Sequence, residues 1–259
     1  MTQQFPGGRK LTDDFIIAGY VGNFSFDVSN QADPVGDEAF LIKMKNCGFN
    51  ILATSHGSAN HAADGTLSFG QIVYLLQRLR KVGGMRAFIL DTILWGDALS
   101  DAIPGQMQSY SNLESSFRDI IYAYQIMDEP GPDIPNGDDP LTRTIEKTGW
   151  VMEGDPEKTA FINLVANVNF SGWVAEVPPQ YLQDYVDRYF QFIQDDFDVN
   201  QNKKKPYLVS FDNYPFNASN SYIYDSTEIN NFPPGILENA NGFRALGRAT
   251  VPGLPVTYF

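Results

Sequence analysis

The sequence predicts an α/β protein with a parallel sheet, closing as a (β/α)8 barrel that is incomplete at its C-terminus. Three observations predict it. Strand-like apolar runs alternate with segments of helical period along the whole chain, the pattern of strands joined by helical crossovers. Acids recur where the strands end, at Asp91, Asp128, Glu129 and Asp212, and a barrel gathers such ends around one pocket. The length of 259 residues suits one barrel. With no internal repeat and no linker, a single domain is expected over 1–259.

The first strand is read from Phe15 to Gly22 and leaves through a glycine-rich turn. A helix from Asp37 to Cys47 carries Phe40, Leu41, Met44 and Cys47 at helical spacing, and Gly48 suits its C′ position. Phe49 to Thr54 is the second strand, followed by a polar loop with His56 and His61. Ser68 can cap a helix through Lys81, with Ile72, Leu75, Leu76 and Leu79 on one face. Gly83-Gly84 ends it, and Met85 to Thr92 is the third strand. A loop with Trp95 and Pro104 precedes a helix around Leu113 to Asp119.

The fourth strand is the run from Ile120 to Met127, ending at Asp128-Glu129-Pro130. Pro130 has no N–H to continue a ladder, so the two acids stand at a strand's C-terminal end. A Pro/Gly/Asp-rich loop, a weak helix from Leu141 to about Met152 and a turn at Asp155-Pro156 lead to the fifth strand, Thr159 to Asn167. The clearest helix runs from Pro179 to about Phe197, with a stripe through Leu182, Tyr185, Val186, Tyr189, Phe190 and Ile193. Tyr207 to Phe211 is the sixth strand. A long polar loop, a helix from Ile236 to Ala249 and a terminal strand from Leu254 to Phe259 complete the reading, which makes seven strands.

A formal charge of −13 repels phosphate backbones and offers no basic patch to an anionic membrane, so neither nucleic acid nor membrane is an expected partner. No run is long and apolar enough to span a bilayer. Cys47 is the only cysteine. It excludes an intrachain disulfide and a cysteine zinc cluster, and its default place is a buried apolar position. His56 and His61 lie in a Gly/Ala/Asn loop without a glutamate beside His56, so no metal is expected. Neither a Gly-x-Gly-x-x-Gly turn nor a Gly-Lys-Ser/Thr phosphate loop is present, and no cofactor is expected. A Gly-x-Ser-x-Gly elbow is also missing. The N-terminus shows no charged region followed by an apolar run. A secreted or periplasmic location is expected if a leader has been removed, and a cytoplasmic one otherwise.

Four segments in order carry a resemblance: Asp128-Glu129-Pro130, then Ala160-Phe161-Ile162-Asn163-Leu164, then Tyr185-Val186 with Tyr189, then Val209-Ser210-Phe211-Asp212-Asn213-Tyr214-Pro215. Together they resemble (β/α)8-barrel glycoside hydrolases, in particular bacterial glycosidases of polysaccharide degraders. The resemblance implies a carbohydrate substrate and carboxylate acid/base catalysis. In the wider clan of retaining barrel glycosidases the acid/base is a glutamate ending strand four, commonly after Asn. Here Asp128 precedes Glu129. The clan's nucleophile is a glutamate ending strand seven, a position with no counterpart before Phe259.

Glycoside cleavage needs a proton donor for the leaving oxygen and a second carboxylate for the anomeric centre or its water. Strand neighbours face opposite ways, so one of Asp128 and Glu129 aims into the barrel mouth. Glu129 is read as that acid and Asp212 as the second carboxylate. Substrate contacts are expected from Tyr20, His56, Asp91, Trp95, Asp128, Asn163, Asn213 and Tyr214. Trp95 and Trp173 are the rings placed to stack on a sugar face. The alternative is a barrel that binds carbohydrate without cleaving it, or a module of a larger protein.

Overall fold

The computed structural model of the chain describes residues 18–20, 33–54, 66–131, 133, 139–164, 179–199, 208–211 and 256–258. Side chains at 19–20, 179–184, 186, 197–199, 209, 211 and 256–258 fall outside that description, as does the helix expected at 236–249. The elements are β1 (Ala18–Tyr20), α1 (Pro34–Asn46), β2 (Ile51–Ala53), α2 (Phe69–Val82), β3 (Arg86–Ile89), α3 (Ile103–Ser111) and α4 (Ser115–Arg118). They continue with β4 (Ile121–Asp128), α5 (Pro140–Gly154), β5 (Thr159–Leu164), α6 (Pro179–Val199), β6 (Val209–Phe211) and β7 (Val256–Tyr258).

Local chemistry sets the helix ends. Asp33 accepts the Gly36 N–H at 3.0 Å, and Pro34 fills the first helical position, so α1 starts three residues before the expected Asp37. Ser68 caps α2 reciprocally with Gln71: the Ser68 N–H donates to Gln71 Oε1 at 2.9 Å, and Ser68 Oγ accepts from the Gln71 N–H. Two expectations are corrected. The loop around Pro104 contains α3, because a proline in a helix's first turn forfeits no intrahelical bond. Cys47 is exposed, since α1 ends at Asn46 and Cys47 occupies its C-cap; the buried stripe is Asp37, Leu41 and Met44.

The seven described strands are parallel and stand in sequence order. Crossovers of one hand between successive neighbours put their helices on one face, and α1, α2, α3, α5 and α6 share one core cluster. The described core divides accordingly. On the helix face, Leu52, Ala87, Ile89, Ile121, Tyr124, Ile126, Ala160, Ile162 and Leu164 pack with residues of α1, α2, α3, α5 and α6. On the other face, Ile51, Ala53, Phe88, Leu90, Tyr122, Ala123, Phe161 and Leu208 form a second cluster to which no described helix contributes. A parallel sheet with strands in chain order and helices on one face closes toward the other, as in a barrel, and the bare face is called concave on that ground. The rings of Phe88 on β3 and Phe161 on β5 meet across β4 at 5.0 Å. Curling is how such a sheet buries the face its helices leave bare.

Phe88 sits at the centre of this curl, touching Tyr122 as well as Phe161 and buried completely. Truncating it to alanine is predicted to cost about 3–5 kcal/mol in urea unfolding. A loss below about 1 kcal/mol would mean that the concave face is not a packed core.

Candidate active site

β4 is not a regular strand. Against β3, Ala87 registers with Ile121 and Phe88 with Ala123, so Tyr122 is an extra residue. Against β5, Gln125 registers with Phe161 and Met127 with Ile162, so Ile126 is another. Each bulge makes two consecutive side chains share a face. Tyr122 and Ala123 both join the concave cluster, and Ile126 and Met127 both pack on the helix face. The second bulge decides the site. Strict alternation from Tyr124, on the helix face, would carry Asp128 there too. The bulge reverses the phase and turns Asp128 to the concave side.

The second bulge has backbone groups at its level to satisfy. The Ile126 carbonyl accepts the Gly96 N–H at 2.8 Å from the loop after β3. The Ile162 N–H donates to the Tyr189 hydroxyl of α6 at 3.3 Å. Gly96 has φ +81°, a backbone region that a side chain would strain.

Beyond the bulge, three strands align three polar side chains. Asp128 registers with Asn163 and Asn163 with Ser210. Asn163 Nδ2 donates to Asp128 Oδ1 at 2.7 Å. Ser210 Oγ donates to Asn163 Oδ1 at 2.6 Å. Asn163 and Ser210 are completely buried. Asn163 is two positions beyond Phe161, so this polar row stands about 6.5 Å nearer the strands' C-terminal edge than the aromatic layer.

Glu129 follows directly. Its N–H donates to the Asn163 carbonyl at 2.8 Å, which extends the ladder by one bond. Its own φ is then +45°, and among the described residues no other non-glycine has a positive φ. The next residue is Pro130, before which extended backbone is favoured. Glu129 is half-buried, with Oε1 shielded from solvent. Alternation allows one of the two acids to face inward, and the expected choice was Glu129. Asp128 holds the concave face, and Glu129 has already left the strand through a left-handed turn.

Trp95 packs against the concave cluster and is held through its loop. Its N–H donates to the Asp91 carbonyl at 2.8 Å, and its carbonyl accepts from Lys147 Nζ of α5 at 2.9 Å. One turn earlier on α5, Arg143 pairs with Asp97 of the same loop. Lys147 is almost fully buried, and that burial pulls its ammonium down to about 8, against a weaker upward pull from Asp97.

Asp91 lies apart from the row. Its carboxylate faces the helix layer, where Tyr110 Oη donates to Oδ2 at 2.7 Å, Gln106 Nε2 donates to the same oxygen, and the Ile93 N–H donates to Oδ1 at 2.7 Å. Burial raises the Asp91 pKa and these donors oppose the rise. The geometry makes it a scaffold residue that fixes the loop after β3, in place of the expected substrate contact. Tyr20 closes β1, with its side chain outside the described set. His56, Trp173, Asp212, Asn213 and Tyr214 also lie outside the described residues.

Of the expected site residues, the structure brings together Asp128, Glu129 and Asn163, with Trp95 on the same face. Sequence reasoning passed over Ser210, Gln125 and Lys147. Ser210 has the phase of Leu208 on a strand already placed in the barrel, so that signal was available. Gln125, buried in register with Phe161, needed knowledge of the first bulge. Among the described residues, no group of three His, Cys, Asp or Glu side chains could hold a metal, and no helix is long and apolar enough to cross a membrane.

Fold and row together define a parallel α/β protein with a polar site at the C-terminal edge of a concave sheet. The sequence matches no protein-family profile and no curated protein. Among solved structures it is similar to a psychrophilic glycoside hydrolase family 10 endo-β-1,4-xylanase, at 10% identity over 91% of this chain and 71% of that one, with a TM-score of 0.46. A second is an FMN-binding β-glucuronidase from Facaelibacterium prausnitzii L2-6, at 11% identity over 82% of this chain and 33% of that one, TM-score 0.40. A third is the N-acetylneuraminate lyase of Proteus mirabilis, at 12% identity over 94% and 68%, TM-score 0.36. Likeness at this level carries neither residues nor chemistry to this chain.

Two predictions test the geometry. Glu129→Gly is expected to stabilise the fold by about 1 kcal/mol, because glycine adopts positive φ without the Cβ clash; a destabilised variant in urea unfolding would contradict the left-handed turn. For Lys147, the unfolded amine titrates near 10.5 and the folded one near 8. Between those values the unfolded chain binds more protons, so stability rises with pH across the window. Lys147→Met is expected to lose that rise, and parallel stability–pH curves for the two proteins would contradict a buried ammonium.

Proposed function

We propose that the protein is a glycoside hydrolase acting on an oligo- or polysaccharide, with the curled sheet as part of a (β/α)8 barrel. The observation that carries the reading is the row Asp128, Asn163 and Ser210 at the C-terminal end of the concave face, with Glu129 next along the chain. Chemistry in parallel α/β barrels is placed at that edge. The ordered sequence segments described above add the substrate class.

In this reading Glu129 donates the proton to the leaving glycosidic oxygen. Its partly shielded carboxyl suits an acid that must hold a proton near neutrality. Asp212 is the second carboxylate. Its separation from Glu129 sets the stereochemistry, about 5 Å for retention and about 6.5–9.5 Å for inversion. Asp128, held by the buried Asn163, binds a sugar hydroxyl, Trp95 offers a ring face, and Tyr20, His56, Asn213 and Tyr214 complete the proposed contacts. The reaction needs no metal or cofactor.

A second reading is a barrel that holds carbohydrate without cleaving it. It is favoured by the state of the row itself: Asp128 is its one partly exposed member and is already bonded to Asn163, which suits hydroxyl recognition as well as chemistry. A panel of chromogenic glycosides separates the two. Under the hydrolase reading, Glu129→Gln lowers kcat by about 10²–10⁴-fold on whichever glycoside the wild type cleaves. Sugar binding without turnover in both proteins would support the second reading, and equal turnover in both would remove Glu129 from the chemistry.

A further inference from the structure

Trp95 is partly exposed and packs on the concave cluster. Three consecutive backbone groups here bond to three different partners. The Trp95 N–H donates to the Asp91 carbonyl of its own loop at 2.8 Å, the Trp95 carbonyl accepts from Lys147 Nζ of α5 at 2.9 Å, and the Gly96 N–H donates to the Ile126 carbonyl of β4 at 2.8 Å. The second and third belong to one peptide unit. In a trans peptide the C=O and N–H point opposite ways, so this unit is a strut between helix α5 and strand β4. Local geometry does not stiffen it, because Gly96, at φ +81°, has no side chain to restrict rotation. The bonds at its ends are what fix it.

Both ends of the strut lead to the site. Ile126 is the extra residue that turns Asp128 to the concave face, and Trp95 carries the ring. Lys147 holds its end from the buried stripe of α5, among Leu141, Thr144, Thr148 and Val151. An apolar side chain would fill that place without the cost of burying an amine. A group that stands against its own burial cost points to a use at a site. The bond does not depend on charge, since an amine donates N–H with or without its third hydrogen.

We infer that Lys147 is a positioning residue for sugar binding: by bonding the Trp95 carbonyl opposite the Gly96–Ile126 bond, it fixes the Trp95 ring relative to Asp128 and so raises the affinity of the site without touching the sugar. This role rests on the reading of Trp95 as a platform for a sugar face. Ordering the ring beforehand removes part of the entropy that binding would otherwise cost.

The test titrates the wild type, Lys147→Met, Trp95→Ala and the double variant by calorimetry. The probes are para-nitrophenyl thioglycosides of mono- and disaccharides, which resist cleavage, and the tightest wild-type binder supplies the Kd values. Trp95→Ala is expected to weaken binding about tenfold, and Lys147→Met about fivefold. The double variant stays within about twofold of Trp95→Ala, because Lys147 then has no ring to hold. A product of the two losses, about fiftyfold, overturns the inference, since Lys147 would then act on the fold and not through Trp95. A Lys147→Met protein that binds like the wild type overturns it as well.

Gly96→Ala attacks the strut from its other end and changes nothing in the core. A Cβ there meets no atom within 4 Å, so the substitution acts through the positive φ alone. Its loss of affinity is expected to vanish in the Trp95→Ala background, and an additive loss overturns the strut. The Trp95 indole N–H signal in NMR spectra, assigned by its absence in Trp95→Ala, gives a readout without sugar. It shifts in Lys147→Met; an unchanged signal overturns the positioning and leaves the platform. A Trp95→Ala protein that binds like the wild type, or a wild type that binds nothing in the panel, overturns the platform reading itself, and the role of Lys147 falls with it.

Discussion

The structure depends on one irregularity, the extra residue that Ile126 inserts into β4 opposite β5. A strand delivers its side chains with a period of two, so a single insertion exchanges the faces of everything after it. Upstream, Tyr124 points to the helix layer and donates its hydroxyl to Asp155 at 2.9 Å. Downstream, Asp128 points into the concavity. The first bulge, at Tyr122, sends Tyr124 outward, and the second brings the acid back in. One eight-residue strand thereby serves both the scaffold and the site.

Such an irregularity persists because its surroundings satisfy it. Gly96 and Tyr189 bond to backbone groups at the level of the bulge, and a buried N–H or C=O left alone would cost about 1–3 kcal/mol. The same contacts tie three layers together at one place. The loop after β3 reaches β4 through Gly96, α5 grips that loop through Lys147 and Arg143, and α6 reaches β5 through Tyr189. A second latch lies on the loop after β4: Asp133 accepts the Thr142 N–H at 3.1 Å and pairs with Arg188 of α6. The site's neighbouring loop segments are thus anchored to helices, as a preorganised site requires. Strain stays local, at the positive φ of Glu129, the kind of outlier that clusters where function is.

Much of the fold was legible in the sequence because it follows from periodicity. The alternation of apolar strands with amphipathic helices located the seven described strands, and Ser68 and Gly48 marked helix ends for stated chemical reasons. Pro104 misled because a proline means opposite things at the start of a helix and in its middle. Cys47 misled because helical spacing says nothing about where the helix stops. The site was legible only in part. Acids before Pro130 announce a strand end, but which of them faces the concavity depends on bulges, and a bulge has no composition of its own in Ile126-Met127. The phase of Ser210 with Leu208 gives its face, but its partner Asn163 is set by a register that the sequence does not show.

The central claim is that the polar row on the concave face is where a sugar binds. A crystal structure of the protein soaked with a cleavage-resistant oligosaccharide tests it most directly. A sugar hydroxyl within about 3 Å of Asp128, with a ring face against Trp95, is the result this account predicts. An oligosaccharide seated on the helix face, or at the N-terminal end of the strands, would contradict it.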